Sequence, residues 1–207
     1  MPIEITGLVH HNAGSMIAPR KVSEFDLSAI AQSAKIQEDA GFDRVLIANA
    51  AIMPDSMSIA TFVAASTTRL KLMIAHRPGF IAPTMAARML ATIDQISRGR
   101  ASVHIIAGAS DAELRADGDY LTKEQRYYRC QEYIGILRKI WSSATPVTHE
   151  GVHYKFEKAF AEVKPVNGVS IPVFWGGSSD TAVDIGVQSA DIYALTGDAL
   201  AGTREMV

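Results

Sequence analysis

Short apolar runs of β character alternate with longer helical patterns along the chain, and this alternation constrains the fold more than any single motif. Ile3–Val9, Arg44–Ala48, Leu70–Ala75, Ala101–Ala107, Pro172–Trp175 and Asp191–Leu195 read as strands, several too short and too apolar for anything but buried parallel ones. Between them Leu27, Ile30, Ala31 and Ala34 recur at helical spacing, with Gly41 as the cap. Ser56–Ser66 reads as a helix. Pro83 opens another, with Met85, Met89, Ile93 and Ile96 on one face and Gly99 at its end. Thr122 and Gln125 match a capping box before a helix whose apolar face holds Cys130, Tyr133, Ile134, Leu137, Ile140 and Trp141. Ser179–Gln188 is the next helix, and a last one begins near Asp198.

Two stretches break the rhythm. Gly108–Leu121 reads as an acidic, irregular loop. Residues of about 145–170 read as an extended insertion, from Gly151, Pro165 and the alternating Tyr154 and Phe156. Outside that insertion no hairpin joins the strands, so the expected architecture is α/β with a parallel sheet in a single domain spanning 1–207. A doubly wound sheet and a (β/α)8 barrel both satisfy the pattern.

Composition narrows the function classes. A formal net charge of -2 with 20% charged residues offers no basic footprint for nucleic acid and no polybasic patch for a membrane. The single cysteine, Cys130, leaves no internal disulfide and no cysteine-rich zinc site, which points to a reducing cytoplasm. No signal peptide and no membrane-spanning run is expected, nor any metal site: His149 and His153 in the insertion lack a partner at ligand spacing.

Strand C-terminal ends carry the chemistry in parallel α/β folds, and several polar residues fall there. His10 and His11 close the first strand, where one imidazole suits a cofactor ring or a substrate oxygen, and solvated loop histidines are the plain alternative. His76 and Arg77 close the third. Arg77 is suited either to an anionic group or to a salt bridge with a loop carboxylate. Gly176-Gly177-Ser178-Ser179 turns from a strand into a helix N-terminus, which fits a phosphate or simply a serine-capped tight turn. It is neither a Walker loop nor a dinucleotide fingerprint. His104 reads as a core histidine, Cys130 as core, and Asp111, Glu113, Asp117 and Asp119 as a solvated acidic rim.

Arg77-Pro78, Pro83-Thr84, Ala86-Ala87-Arg88, Ala91-Thr92, Ser97-Arg98-Gly99-Arg100, Gln125-Arg126-Tyr127 and Gly176-Gly177-Ser178-Ser179-Asp180 occur in the order and spacing of one family. On them the chain resembles the luciferase-like flavin monooxygenases, nearest the alkanesulfonate monooxygenase branch. The resemblance implies a TIM (β/α)8 barrel, reduced FMN delivered by a separate flavin reductase, O2 and a small-molecule substrate, and a homo-oligomer. It matches His11 to the family's first-strand histidine and Asn49 to a position beside the flavin. Tyr127 matches a tyrosine near the flavin phosphate, and Gly177, Ser178 and Ser179 match the phosphate turn. Ala107 stands where relatives often carry a flavin-bonding threonine, and Arg77 matches an arginine of the sulfonate branch.

The chain departs from that branch at Met53, where a cysteine is usual, and at Lys123, where a histidine often precedes the Arg-Tyr pair. An organosulfur substrate other than an alkanesulfonate is therefore open. Six strands are also too few to close a barrel of roughly 250 residues, so a fragment of a longer protein, or a product incomplete by itself, is expected. The expected function is a two-component FMN monooxygenase. An F420-dependent oxidoreductase of the same fold and a non-catalytic flavin- or partner-binding fragment are the alternatives.

Overall fold

The computed structural model describes residues 3–11 and 25–195. Six strands form one parallel sheet: β1 (Thr6–Val9), β2 (Arg44–Ile47), β3 (Lys71–His76), β4 (Ala101–Ile105), β7 (Val173–Gly176) and β8 (Ile192–Ala194). They lie in chain order, β1-β2-β3-β4-β7-β8, with no reversal. A doubly wound sheet requires a reversal and helices on both faces. Here the helices cover one face only.

That covered face carries Val45, Ile47, Leu72, Ile74, Val103, Ile105, Val173 and Trp175, all at most 2% exposed. On the other face Leu8, Leu46, Met73 and His104 are only half-buried, while Arg44, Ala75, Ser102 and Phe174 are buried there. The period of two thus separates an outer, helix-packed face from an inner one, as in a barrel wall.

The covering helices are α1 (Leu27–Asp39), α2 (Ser56–Ser66), α3 (Pro83–Ser97), α5 (Lys123–Ser142) and α6 (Asp180–Ser189). Each start has a local cause. Asp26, Asp55 and Ser179 accept backbone N–H bonds as N-caps, Pro83 occupies the first turn of α3, and the Thr122–Gln125 capping box closes in both directions. The proposed last helix near Asp198 lies outside the described residues.

On α3 Met85, Met89, Ile93 and Ile96 line one groove together, as their spacing predicts. The buried stripe of that helix is Ala86, Ala87, Leu90, Ala91 and Ile93, while Met85 and Ile96 are exposed. Small alanines let α3 approach its neighbours closely, and the Ala87 carbonyl accepts from the indole of buried Trp141 at 2.9 Å. The acidic stretch 108–121 is not wholly irregular. Ser110 caps a short helix, α4 (Asp111–Ala116).

Arg98 and Gly99 adopt consecutive left-handed conformations, φ 59° and 83°, and turn the chain from α3 into β4. Arg100 then donates to the carbonyls of Ala64, Thr67 and Leu70, satisfying acceptors at the C-terminal end of α2 and in the turn beyond it. The Ser97–Arg100 motif is therefore a joint between layers. The insertion is a β-hairpin, β5 (Val147–Glu150) with β6 (Lys155–Ala159), fastened to α5 where Glu132 accepts from His149 and from the N–H groups of His153 and Tyr154. Among the described residues no helix is long and apolar enough to cross a membrane, and no cluster could hold a metal ion.

Candidate active site

Every candidate from the sequence falls on one edge of the sheet. His11 follows β1, Asn49 follows β2, His76 and Arg77 lie at the end of β3, Ala107 follows β4, and Gly176–Ser179 leads out of β7. Parallel pairing in direct register brings these five C-terminal ends to a common level.

A cavity of about 370 Å³ opens beside β2 and β3, lined among others by Asn49, Met53, Asp55, Arg77, Phe80 and Asp117. Arg77 is central and only 8% exposed at its side chain. Its Nε donates to Asn49 Oδ1 at 2.9 Å, Nη1 to Glu113 Oε1 at 3.2 Å and Nη2 to Asp117 Oδ2 at 2.9 Å. The guanidinium carbon stands 4.9 Å from the centre of the Phe80 ring. Asn49 in turn donates to Ser56 Oγ at 3.2 Å, and that hydroxyl donates to the Ala75 carbonyl. Arg77 thus takes the salt bridge that the sequence left as one of two readings.

The acidic rim is corrected by the same contacts. Asp111 pairs with Arg126, Glu113 and Asp117 with Arg77, and Asp119 with Arg129. Burial works to raise the pKa of Asp119, but the Arg129 bond, the Leu121 N–H and the charges of Arg129 and Arg126 together outweigh it and hold the carboxyl below its usual range. Three arginines hold α4 and its flanks against the strand ends, which charge counting along the sequence cannot reveal.

His76 is buried, and its Nε2 lies 2.7 Å from the Tyr133 hydroxyl. Tyr133 donates to the Ile81 carbonyl at 3.1 Å, so the histidine must donate to the tyrosine and carries its proton on Nε2. Burial pushes its pKa down to about 4, against the pull of Asp55 and with the push of Arg77. His76 is a neutral structural donor. Cys130, wholly buried, has its thiol pushed up to about 12 by burial and is no nucleophile near neutral pH.

His10 and His11 line a second, smaller cavity with Met53 and Pro54, so the two cavities share a wall. The His11 carbonyl accepts from Asp26, tying the strand end to the start of α1. His104 is half-buried on the inner face near Gly176 rather than sealed in the core. Ala107 contributes its carbonyl, which accepts from Arg126 Nε at 2.8 Å. Arg126, 1% exposed, also donates to the Leu121 carbonyl at 2.6 Å. Its part was not legible from the motif that contains it.

At the other end of the edge, Tyr127 lies beside the Gly177 turn. Its ring is 5.7 Å from that of Trp175, and a Cβ at Gly177 would stand 3.5 Å from its hydroxyl and 2.6 Å from Ala182 Cβ. Only glycine lets the backbone approach this closely. Ser179 Oγ accepts from Ala182 N as the cap of α6, while Ser178 is exposed. Lys123 places its ammonium 5.8 Å from the Tyr127 ring centre. The turn therefore gathers a helix N-terminus, an exposed serine and a phenol, and that phenol's ring has the Lys123 ammonium near it.

Residues 4–207 match the family model described as luciferase-like monooxygenase. Among solved structures, the fold is similar to EDTA monooxygenase EmoA from Chelativorans sp. BNC1, with TM-score 0.82 and 19% identity over 98% of this chain and 58% of that one. It is similar also to long-chain alkane monooxygenase LadA, with TM-score 0.84 and 15% identity over 97% of this chain and 58% of that one. An F420-dependent secondary alcohol dehydrogenase superimposes with TM-score 0.78 and 19% identity, over 94% of this chain and 58% of that one. The chain spans less than three fifths of each, and its six-stranded sheet corresponds to a curled part of their barrels.

Proposed function

The chain belongs to the luciferase-like monooxygenase family, and on that footing we propose that it serves a reduced-FMN- and O2-dependent monooxygenase of the two-component type. Its substrate is a small organic molecule, its reduced flavin comes from a separate reductase, and it works in the cytoplasm. The observation that carries this reading is the turn at Gly177, where Tyr127 and Ser178 stand at the N-terminus of α6, with Lys123 near the Tyr127 ring, on the same edge as the Arg77 cavity.

The turn fits a flavin phosphate. Its backbone lies open because Gly177 has no Cβ, the helix dipole favours an anion, and Lys123 adds a positive charge. Asp180 opens the same helix and works against an anion, so recognition rests on N–H groups, the Ser178 hydroxyl and Lys123. Reduced FMN, when bound, supplies the electrons that activate O2, with one oxygen atom going to substrate and the other leaving as water. The chain's own residues orient and enclose. His11, Asn49 and Ala107 are the strand-end positions assigned to the ring system. The Arg77–Glu113–Asp117 network holds Asn49 and fastens α4 over the cavity, limiting water.

The exposed Met85 and Ile96 on α3, beside Met57 and Met89 in a groove against α2, support self-association into a homo-oligomer. The F420-dependent neighbour favours a second reading, a hydride-transferring enzyme on the same scaffold.

Ser178→Leu tests the phosphate assignment without disturbing the Ser179 cap. FMN affinity measured by fluorescence quenching is expected to fall about ten-fold or more, the loss of one charge-assisted hydrogen bond. Unchanged affinity removes the phosphate turn, and tight F420 binding with none of FMN moves the protein to the second reading.

A further inference from the structure

The cavity beside Arg77 contains one cation and an excess of anions. Asp55 and Asp117 line it, and Glu113 sits on Arg77 from its rim, so three carboxylates face a single guanidinium. His76, neutral above about pH 4, adds no positive charge. Nε, Nη1 and Nη2 of Arg77 each already donate to a protein acceptor, and Phe80 covers one face of the group. These bonds engage three of the guanidinium's five N–H groups, and Glu113 and Asp117 already balance its charge, so an arriving anion would meet net negative charge. Glu113 is also held by the Ala51 N–H at 2.8 Å, so moving it would leave a second donor unpaired. Asp55 is fixed as the cap of α2 by bonds from the Ser58 N–H and hydroxyl, beside the cavity.

We propose that this cavity admits an uncharged organic group and rejects anions, sulfonates and carboxylates included, with Asp117 and Glu113 setting that preference. It rests on the oxygenase reading only in taking the cavity for the substrate's place. Arg77 is then a positioning residue that orders Asn49 and α4, and the apolar walls at Met53 and Phe80 receive the substrate. A neutral thioether or sulfone fits this charge pattern, whereas an alkanesulfonate does not.

Dimethyl sulfone and methanesulfonate provide the test, since they share a tetrahedral sulfur and nearly the same size but differ by one charge. Each is titrated into the full-length protein while the Met53 methyl resonance is followed by NMR. Dimethyl sulfone is expected to bind at least about ten-fold more tightly, and Asp117→Asn to tighten methanesulfonate about ten-fold, the scale of one removed like charge near the cavity. The sulfone constant is expected to stay within about two-fold in that variant, because an uncharged probe gains nothing from the change. Methanesulfonate binding as well as the sulfone, Asp117→Asn leaving the sulfonate unmoved, or a Met53 methyl silent to both probes each overturns the proposal. FMN titration of the same sample reads the flavin assignment separately. Failed flavin binding with the probe order intact removes the oxygenase reading alone, and a reversed probe order with FMN bound removes this inference alone.

Discussion

Replacing Arg126 with alanine is expected to lower stability by about 3 kcal/mol, the scale for deleting a buried charged group that satisfies buried acceptors. Arg126 is almost wholly enclosed. It joins the end of β4 to the start of α5 through the carbonyls of Ala107 and Leu121, and reaches Asp111 on α4 at 2.9 Å. Alanine leaves both carbonyls without that donor and opens a void beside Tyr127. Exposed Asp111 turns to water and contributes little of the loss. Arg126→Met refills most of the volume and separates the two causes, recovering the packing part but not the hydrogen-bonding part. Urea denaturation checks both variants. A midpoint for Arg126→Ala within error of the wild type would show that the carbonyls find other partners at no cost.

The protein is also expected to lose about 3 kcal/mol of stability as pH falls from 6.5 to 4, through His76. The sign follows from proton counting. Burial holds the folded-state pKa at about 4, whereas the unfolded histidine titrates near 6.5. Between those values the unfolded chain binds the extra proton, so stability rises with pH through the window and is fully present above it. Glu4 and Glu38 have carboxyls held at about 2, by hydrogen bonds from Arg44 and Lys71 and, against the upward push of burial, from the N–H groups of Arg69, Leu70 and Thr68. Their stabilisation is lost on acidification only below their ordinary value of 4.5, so they leave the interval from 6.5 to 4.5 to histidine. His104, lowered in the same direction by burial, adds to the effect. Measuring unfolding free energy at steps of pH for the wild type and His76→Gln isolates the His76 share. Equal slopes for the two proteins in that interval would assign the pH response elsewhere.

Much of the backbone was legible because its causes are local. The capping box at Thr122, the proline at the start of α3 and the apolar runs of β2, β3 and β4 each act within a few residues. The strand pattern did not choose between sheet types, since period-two burial shows that a strand has two faces but not which one the helices cover; the family resemblance chose the barrel. On α3 the larger methionines drew attention from the alanines that make the close contact. At the site, the positions were readable as strand ends and the partners were not. Arg77 and Asp117 are forty residues apart in sequence and 2.9 Å apart in space, and the Gln125-Arg126-Tyr127 motif gave no sign of the carbonyls that Arg126 reaches.

The sequence by itself determined where the elements lie, that the sheet is parallel, which family the chain resembles, and that the strand ends and the Gly177 turn are the places to look. Those follow from periodicity, caps and glycine, whose physics is short-ranged. Only the tertiary structure decided which face of each strand the helices cover, the burial of His76 as a neutral donor, and the commitment of Arg77 to two carboxylates. Burial and charge pairing depend on which distant residues arrive together, and local spacing carries no record of that meeting.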